Sequence, residues 1–173
     1  MNLRKLKPED AQLMLEWMHD DDVIRYLRRN FMHMTLEDCQ EFIAESQTDF
    51  PSIHRAIVDD NDLYMGTVSL KNLNSERKDA EFAIIVRKEA MGKGFAEFGI
   101  KEILRLGFTE LDLDTIYWYV SEDNARAIRF YEKHGYKLVD NDEASTWGER
   151  VLPENKYFWF AAHADEANYS ISS

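Results

Sequence analysis

The stretch 79–106, DAEFAIIVRKEAMGKGFAEFGIKEILRL, combines a buried strand, a glycine turn and an amphipathic helix. Residues 81–86 are mostly apolar and rich in branched side chains, which predicts a buried strand. Residues 91–94 then turn the chain, and the apolar side chains that follow keep helical spacing. A glycine turn that opens a helix directs unpaired backbone N–H groups and the positive end of the helix dipole at one point. The stretch therefore predicts a phosphate-binding turn.

Three basic side chains, Arg87, Lys88 and Lys93, add positive charge beside this turn. The turn lacks the Gly-x-x-x-x-Gly-Lys-Ser/Thr pattern of a P-loop. It also departs from the dinucleotide fingerprint, because FAE at residues 95–97 follows the GKG of residues 92–94 where a third glycine or alanine is required. An ordinary connection between a strand and a helix has the same pattern, so the turn alone leaves that alternative open.

Length and composition predict one domain. With 173 residues, 45% of them hydrophobic, the chain can form one core, and we place the domain at residues 1–163 and a C-terminal tail at 164–173. No run of about 18 apolar residues predicts a membrane span. The charged N-terminus does not resemble a secretory signal. The single cysteine, Cys39, excludes an internal disulfide and suits a reducing cytoplasm, the predicted location.

The net charge of −12 argues against a nucleic-acid partner, which requires a basic surface. Acidic side chains cluster at residues 20–22, 59–62, 110–114 and 140–143. Charge runs of this kind usually face water. The alternative is that an acidic field gathers a cationic substrate such as an amine. The basic side chains beside the glycine turn stand against that field, as an anionic cofactor requires.

The remaining patterns indicate a mixed α/β sheet. Besides the central strand, apolar and alternating runs predict strands at 2–6, 53–58, 63–70, 115–121, 136–139 and 157–160. Helical spacing, with Pro8 near one start and a Thr35-x-x-Asp38 capping box at another, predicts helices at 8–18, 23–29, 35–47, 95–108 and 124–135. Gly66, inside a predicted strand, suggests a bulge or a close backbone approach.

A second stretch, VSEDNARAIRFYEKHGY at residues 120–136, turns these observations into a family resemblance. The chain resembles the GNAT superfamily of acyl-CoA N-acetyltransferases, whose later motif is Asn-x-x-Ala-x-x-x-Tyr-x-x-x-Gly-Phe. That motif appears here as Asn124, Ala127, Tyr131, Gly135 and Tyr136. The resemblance spans about residues 2–162, and Glu16-Trp17 with Ala80-Glu81-Phe82 looks like the RimL-like branch.

The family's pyrophosphate turn, Gln/Arg-x-x-Gly-x-Gly/Ala, matches EAMGKG at residues 89–94, with Glu89 where Gln or Arg is usual. The resemblance implies a GNAT fold: a mixed sheet of about six to seven strands with splayed central strands, flanked by helices. Acetyl-CoA would lie between the splayed strands. The implied cofactor contacts are Ile85, Val86, Arg87, Met91, Gly92, Lys93, Gly94, Phe95, Ala96, Asn124, Ala127 and Tyr131.

The resemblance also implies the catalytic groups. Tyr131 occupies the general-acid position, and a backbone amide near residues 85–87 is the implied oxyanion donor. Glu81 is our candidate base, acting through water, because an alkylammonium of pKa about 10.4 must lose a proton before it attacks. A charge at the strand end paired with a lysine is an equally good account of Glu81. The histidines show no ligand spacing, so no metal is expected.

The acceptor side is the least specified. By resemblance, the helical N-terminal region builds one wall of the acceptor pocket. The candidate substrate contacts are Trp17, Asp20, Tyr26, Arg29, Phe31 and Glu81, with packing the better account of Trp17 and Tyr26. The acceptor could be a small amine, an amino sugar, a polyamine or a protein N-terminus, bound by a monomer or homodimer. The alternative function is an acyl-CoA-binding module without turnover.

Overall fold

Seven strands form one mixed sheet in the order β1-β2-β3-β4-β5-β7-β6. The computed structural model describes residues 1–147 and 157–166. The strands are β1 (Asn2–Arg4), β2 (Ile53–Val58), β3 (Tyr64–Asn74), β4 (Asp79–Val86), β5 (Thr115–Ser121), β6 (Lys137–Val139) and β7 (Tyr157–His163). The helices are α1 (Ala11–Met18), α2 (Asp21–Ile24), α3 (Leu36–Glu45), α4 (Phe95–Thr109), α5 (Ala125–Lys133) and α6 (Asn141–Ser145).

Two compact units divide the chain, one made of Met1–Leu73 with Phe82–Ile103, the other of Asn74–Glu81 with the described residues from Leu104 onward. In the first unit, β1 and β3 each pair antiparallel with β2. Helices α1 and α3 pack their apolar faces on a core that includes Met14, Trp17 and Ile43. This core follows from the helical spacing of apolar residues in both helices.

Gly66 lies where β3 changes register against β2. Ile57 pairs with Gly66, but Val58 pairs with Tyr64, so one residue of β3 bulges out of the ladder. A Cβ at Gly66 would overlap the carbonyl oxygen of Ile85 and lie 2.9 Å from Val86 Cα. Both predictions for this glycine, a bulge and a close backbone approach, are therefore confirmed.

In the second unit, β5 is the central strand. It pairs parallel with the start of β4 through three residue pairs, from Asp79 with Thr115 to Glu81 with Tyr117. It pairs antiparallel with β7 along its whole length, and β6 pairs antiparallel with the other edge of β7. Alternation along β5 gives the sheet two aromatic faces, one with Trp118 and one with Tyr117.

Two predicted elements, one helix and one strand, have wrong bounds for reasons that local chemistry explains. Helix α2 covers Asp21–Ile24 and not 23–29, because Asp20 accepts a hydrogen bond from the Asp22 N–H and starts the helix early. Arginines at 25, 28 and 29 then place like charges one turn apart, which disfavours its extension. Strand β3 runs on to Asn74, since ladder pairing satisfies its polar end regardless of hydropathy.

The capping box of α3 is confirmed, since Thr35 and Asp38 exchange hydrogen bonds between side chains and backbone N–H groups. Of the predicted tail, residues 164–166 form a turn, while 167–173 lie outside the described residues. The polar segment that follows β6 contains α6, and residues 148–156 also lie outside the described part.

Candidate active site

The glycine turn before α4 has the backbone conformation that its sequence predicts. Gly92 and Gly94 have φ of +75° and +86°, in the left-handed region that favours glycine. The Phe98 N–H donates to the Gly94 carbonyl at 2.9 Å, so the N–H groups of the three residues that open α4 have no partner one turn earlier in the helix. An anionic group fits this helix start, because these N–H groups and the helix dipole both favour negative charge.

Lys93, between the two glycines, is exposed. Within residues 1–147 and 157–166, no carboxylate forms an ion pair with its ammonium group. Of the three basic side chains predicted to assist the turn, Lys93 is therefore the cation that remains available to a phosphate. The donor set suits the diphosphate of a coenzyme A thioester, which carries negative charge and many acceptor oxygens.

Arg87 has a different environment. Its residue is 6% exposed, and its guanidinium Nε and Nη2 lie 3.0 and 2.8 Å from Glu16 Oε1. Nη2 also lies 2.8 Å from Glu89 Oε2, and Nη1 donates to the Tyr64 carbonyl at 3.2 Å. The side chain is thus surrounded by carboxylates and a carbonyl. Its predicted contribution of positive charge to the turn is neutralised by Glu16 and Glu89.

Lys88 is likewise paired with carboxylates. Its Nζ lies 2.8 Å from Asp22 Oδ2 and 3.8 Å from Asp20 Oδ2. The pairing lowers the pKa of Asp22 and raises the pKa of Lys88, as expected for opposite charges in hydrogen-bonding contact. Part of the acidic cluster at 20–22 therefore forms ion pairs inside the first unit, with a cation that was predicted to assist the turn.

Glu89 departs from the family pattern when residues 89–94 are aligned with it, but a second alignment no longer places Glu89 at the Gln/Arg position. Its carboxylate contacts Arg87. The spacing Gly-x-Gly/Ala also fits two residues later, at residues 94–96, and then Met91 takes the Gln/Arg position. Because α4 begins at Phe95, the later alignment puts the glycine directly before the helix, at the helix start that favours an anion.

The predicted oxyanion donor can be narrowed to one amide. The Arg87 N–H donates to the Met65 carbonyl of β3 at 2.8 Å, so it is not available to a ligand. Successive N–H groups of an extended strand point in opposite directions. The Val86 N–H therefore points away from β3, whereas the Ile85 N–H points toward it. Ile85 itself packs its side chain on the first unit's core.

Helix α5 carries the second motif. Asn124 is its N-cap, and its Oδ1 accepts from the Ala127 N–H at 3.1 Å. Gly135, with φ of +83°, ends the helix: its N–H donates to the Glu132 carbonyl and the Tyr136 N–H donates to the Tyr131 carbonyl, both at 3.0 Å. These two bonds form a Schellman motif. The spacing from Asn to Gly thus sets both ends of the helix that holds Tyr131.

Tyr131 is 6% exposed, and its ring lies 5.2 Å from the rings of Trp118 and Phe160. Burial raises the pKa of its phenol above the ordinary value of 10, so the group stays protonated at neutral pH. Among the described residues, none forms a hydrogen bond with Tyr131 Oη. A buried, protonated phenol without a protein acceptor suits a proton donor that meets its acceptor in the ligand.

Glu81 is buried, at 2% exposure, in the parallel pair with Tyr117. The alternative account of Glu81 as a strand-end charge is weakened, since β4 begins two residues earlier at Asp79, whose carboxylate pairs with Arg77 at 2.8 Å.

The predicted acceptor contacts other than Glu81 lie in the first unit. Trp17 is 3% exposed, and its indole N–H donates to Tyr64 Oη at 3.1 Å, which is a packing role. Phe31 contacts the Trp17 ring edge-on at 5.3 Å, and the Arg29 guanidinium lies 5.6 Å from the Phe31 centroid. Tyr26 is 38% exposed. Asp20, the cap of α2, lies 3.8 Å from Lys88 Nζ through its Oδ2.

Sequence reasoning missed two residues, Glu16 and Tyr64, that organise the turn's environment. Both contact Arg87 in the structure. In the sequence Glu16 stands out only as part of Glu16-Trp17, and nothing in the local pattern pairs it with a residue 71 positions away.

Among the described residues no group of His, Cys, Asp or Glu side chains could hold a metal ion. None of the described helices is long and apolar enough to cross a membrane.

Known proteins match this chain over most of its length. The sequence profile of the family "Acetyltransferase (GNAT) domain" matches residues 1–137. Spermidine N(1)-acetyltransferase from Escherichia coli K12 is 30% identical over 143 residues, which cover 80% of this chain and 73% of that protein. The profile match and this relative both support the resemblance inferred from residues 89–136.

Solved structures confirm the fold. The structure of spermidine N-acetyltransferase from Vibrio cholerae in complex with CoA and spermine has a TM-score of 0.77 at 23% identity, covering 95% of each chain. A dodecameric structure of the Vibrio cholerae enzyme in an intermediate state has a TM-score of 0.73 at 22% identity, covering 98% of this chain and 97% of that one. The chain therefore belongs to the GNAT acetyltransferase family, and it is an enzyme that transfers an acetyl group from acetyl-CoA to an amine nitrogen.

Proposed function

We propose that the acceptor is a polyamine of the spermidine type. The observation that carries the proposal is the similarity to a spermidine N(1)-acetyltransferase, 30% identical over 80% of this chain. The net charge of −12 supports it, because the field of an acidic protein attracts a polycation more strongly than a singly charged amine. The acidic residues that remain exposed on α3, such as Glu37 and Glu41, add to that field.

The turn and the start of α4 hold the cofactor in this proposal. Backbone N–H groups of residues 94–96 and the ammonium of Lys93 bind the diphosphate, and the positive φ of Gly92 and Gly94 shapes the turn. When bound, acetyl-CoA supplies an activated acyl thioester. Asn124 and Ala127 contact the cofactor from the start of α5, with Asn124 Nδ2 as the donor, since its Oδ1 already accepts from Ala127.

Three groups of the chain serve the transfer itself. The Val86 N–H donates to the acyl carbonyl oxygen as negative charge develops there. Glu81 accepts a proton from the acceptor's ammonium, through water. Tyr131 Oη gives its proton to the departing sulfur, and the second proton, which the nitrogen loses as it becomes an amide, returns to the phenolate through water. Burial raises the pKa of this phenol. A departing thiolate in the same apolar surroundings is desolvated as well, so the pKa of its thiol rises in the same direction as that of the phenol.

The test is an acceptor comparison by thiol release. Spermidine, spermine, glucosamine and a short peptide with a free N-terminus are assayed at matched acetyl-CoA concentration. We expect kcat/KM for spermidine to exceed that for glucosamine and for the peptide by about tenfold or more, since each 1.4 kcal/mol of differential binding is worth that factor. KM for spermidine should also rise with salt, because screening weakens attraction between exposed charges.

A preference for the peptide would contradict the proposal that the acceptor is a polyamine, and it would support the RimL-like branch. Membership of that branch remains a prediction from the sequence. The location in the cytoplasm, the absence of a nucleic-acid partner and the absence of a metal cofactor likewise remain predictions. So does the assembly state. The dodecamer recorded for the Vibrio cholerae enzyme makes a larger assembly a specific alternative to a monomer or homodimer, and sedimentation velocity distinguishes them.

A further inference from the structure

Arg87 connects three elements of the first unit through one guanidinium. Glu16 on α1 is bonded to its Nε and Nη2, the Tyr64 carbonyl at the start of β3 accepts from Nη1, and Glu89 beyond β4 contacts Nη2. The backbone of Arg87 joins the same set, since its N–H donates to the Met65 carbonyl. The contacts therefore restrain the chain immediately after Val86.

Tyr64 closes this network. Its carbonyl accepts from Arg87, while its hydroxyl accepts from the Trp17 indole at 3.1 Å and contacts Thr67 Oγ1 at 2.7 Å. Two successive residues of α1 therefore reach two strands. Glu16 contacts Arg87, just after β4, and Trp17 contacts Tyr64 of β3. Tyr64 is 1% exposed, which keeps this arrangement out of water.

The same contacts make Arg87 a poor phosphate ligand. Two carboxylates share one guanidinium, so the group of three carries a net charge of −1, and a diphosphate that approached Arg87 would have to displace a carboxylate. Arg87 is buried, while the Glu16 and Glu89 side chains are 49% and 62% exposed. The outer, accessible side of the network is therefore acidic.

Stability alone does not account for a buried arginine at this place. Ion pairs of this kind often contribute little net stability relative to apolar residues of similar size. The network acts instead on geometry: it holds the residue after Val86 against β3, and Gly66 allows β3 to approach the Val86 backbone closely. The direction of the Val86 N–H depends on how the end of β4 is held against β3.

We infer that Arg87 is a positioning residue for the Val86 N–H, held by Glu16 and Glu89, and that it does not bind the cofactor's phosphates. The inference rests on the proposed oxyanion role of Val86. A displaced donor lowers the rate without weakening the binding of coenzyme A, whereas a lost phosphate ligand does the reverse. The two roles therefore separate in kcat and in the Kd for CoA.

The experiment compares Arg87→Met with Lys93→Met and with Lys101→Met. Each variant is assayed for kcat by thiol release and for Kd by calorimetry with CoA. Arg87→Met should lower kcat by about 10- to 100-fold, as a misplaced group does and less than a lost oxyanion donor, while Kd rises by no more than about fivefold, the effect of one charge beside the turn. Lys93→Met should raise Kd more than it lowers kcat. Lys101→Met, which breaks an exposed pair with Glu97 at 2.6 Å, should change neither.

Two further variants keep the inference testable if Arg87→Met unfolds. Glu16→Gln should lower kcat several-fold with Kd retained. Glu89→Gln should tighten CoA binding by about two- to fivefold, because it removes one negative charge beside the turn. A tenfold rise of Kd in Arg87→Met or Arg87→Lys with kcat retained would show a phosphate ligand and overturn the inference. An unchanged kcat in both Arg87→Lys and Glu16→Gln would overturn it as well.

The test of Arg87 does not depend on which amine is the acceptor. The assay uses spermidine, or whichever amine of the acceptor comparison the wild-type enzyme acetylates fastest. If that amine is not a polyamine, the acceptor proposal fails, while the Arg87 comparison proceeds unchanged with the amine that works.

Discussion

The rings of Trp118 and Tyr131 lie 5.2 Å apart between centroids at an angle of 53°, so strand β5 fixes the orientation of the phenol on α5. Trp118 and Phe160 pair directly across β5 and β7, and both rings contact Tyr131. Because ring contacts and no hydrogen bond from the described residues hold the Tyr131 side chain, its hydroxyl can be removed without disturbing the packing.

Tyr131→Phe should therefore lower kcat by about 10²- to 10⁴-fold, the usual contribution of a positioned general acid, with the Kd for CoA retained. Tyr136→Phe is the matched control, because Tyr136 contacts the same Trp118 ring at 5.3 Å. Steady-state thiol release measures both variants. Equal activity of Tyr131→Phe and the wild type would remove Tyr131 from the reaction.

Gly94→Ala should weaken CoA binding. Its φ of +86° costs an L-residue about 1–2 kcal/mol, and relief of that strain would move the N–H groups that open α4. Gly135→Ala, at φ of +83°, carries a similar strain at the end of α5 and should lose comparable stability with less effect on CoA binding. Urea unfolding and calorimetry distinguish the two, and equal effects on Kd would contradict a binding role for the turn.

Gly66→Ala should destabilise the first unit by about 1–3 kcal/mol, as overpacking of a closed backbone contact does. The added Cβ meets backbone atoms of Ile85 and Val86, which cannot rotate away. Gly99→Ala is the comparison: its Cβ would lie 2.5 Å from Ile57 Cδ1, the flexible end of a side chain. A larger loss of unfolding free energy in Gly99→Ala than in Gly66→Ala would refute the close-approach argument.

His54 should make the protein less stable in mild acid. Burial, with Lys71 and Arg55 nearby, lowers the pKa of His54 to about 4 from an ordinary value of 6.5. Between these values the unfolded state binds more protons, so the free energy of unfolding falls as the pH drops through that window. In His54→Gln the fall between pH 7 and pH 5 should be smaller. Parallel urea-unfolding results for variant and wild type would show that another group is responsible.

Local patterns predicted the elements whose causes are local. The strand bounds 53–58 and 115–121 are those observed, because alternation and branched side chains indicate a strand whatever lies beside it. The capping box of α3 and the glycine that ends α5 were likewise predictable, since their hydrogen bonds close within a few residues. The two family motifs are of the same kind.

By itself, then, the sequence determined the family, the turn that opens α4 and the helix that carries Tyr131. The ionic partners of Arg87 and Lys88 were decided only by the tertiary structure. Both cations adjoin the turn in sequence, which led to the expectation that they serve a phosphate. Charge interactions act through space, however, and folding brings Glu16 to Arg87 across 71 positions and Asp22 to Lys88 across 66. No local periodicity encodes such a pair.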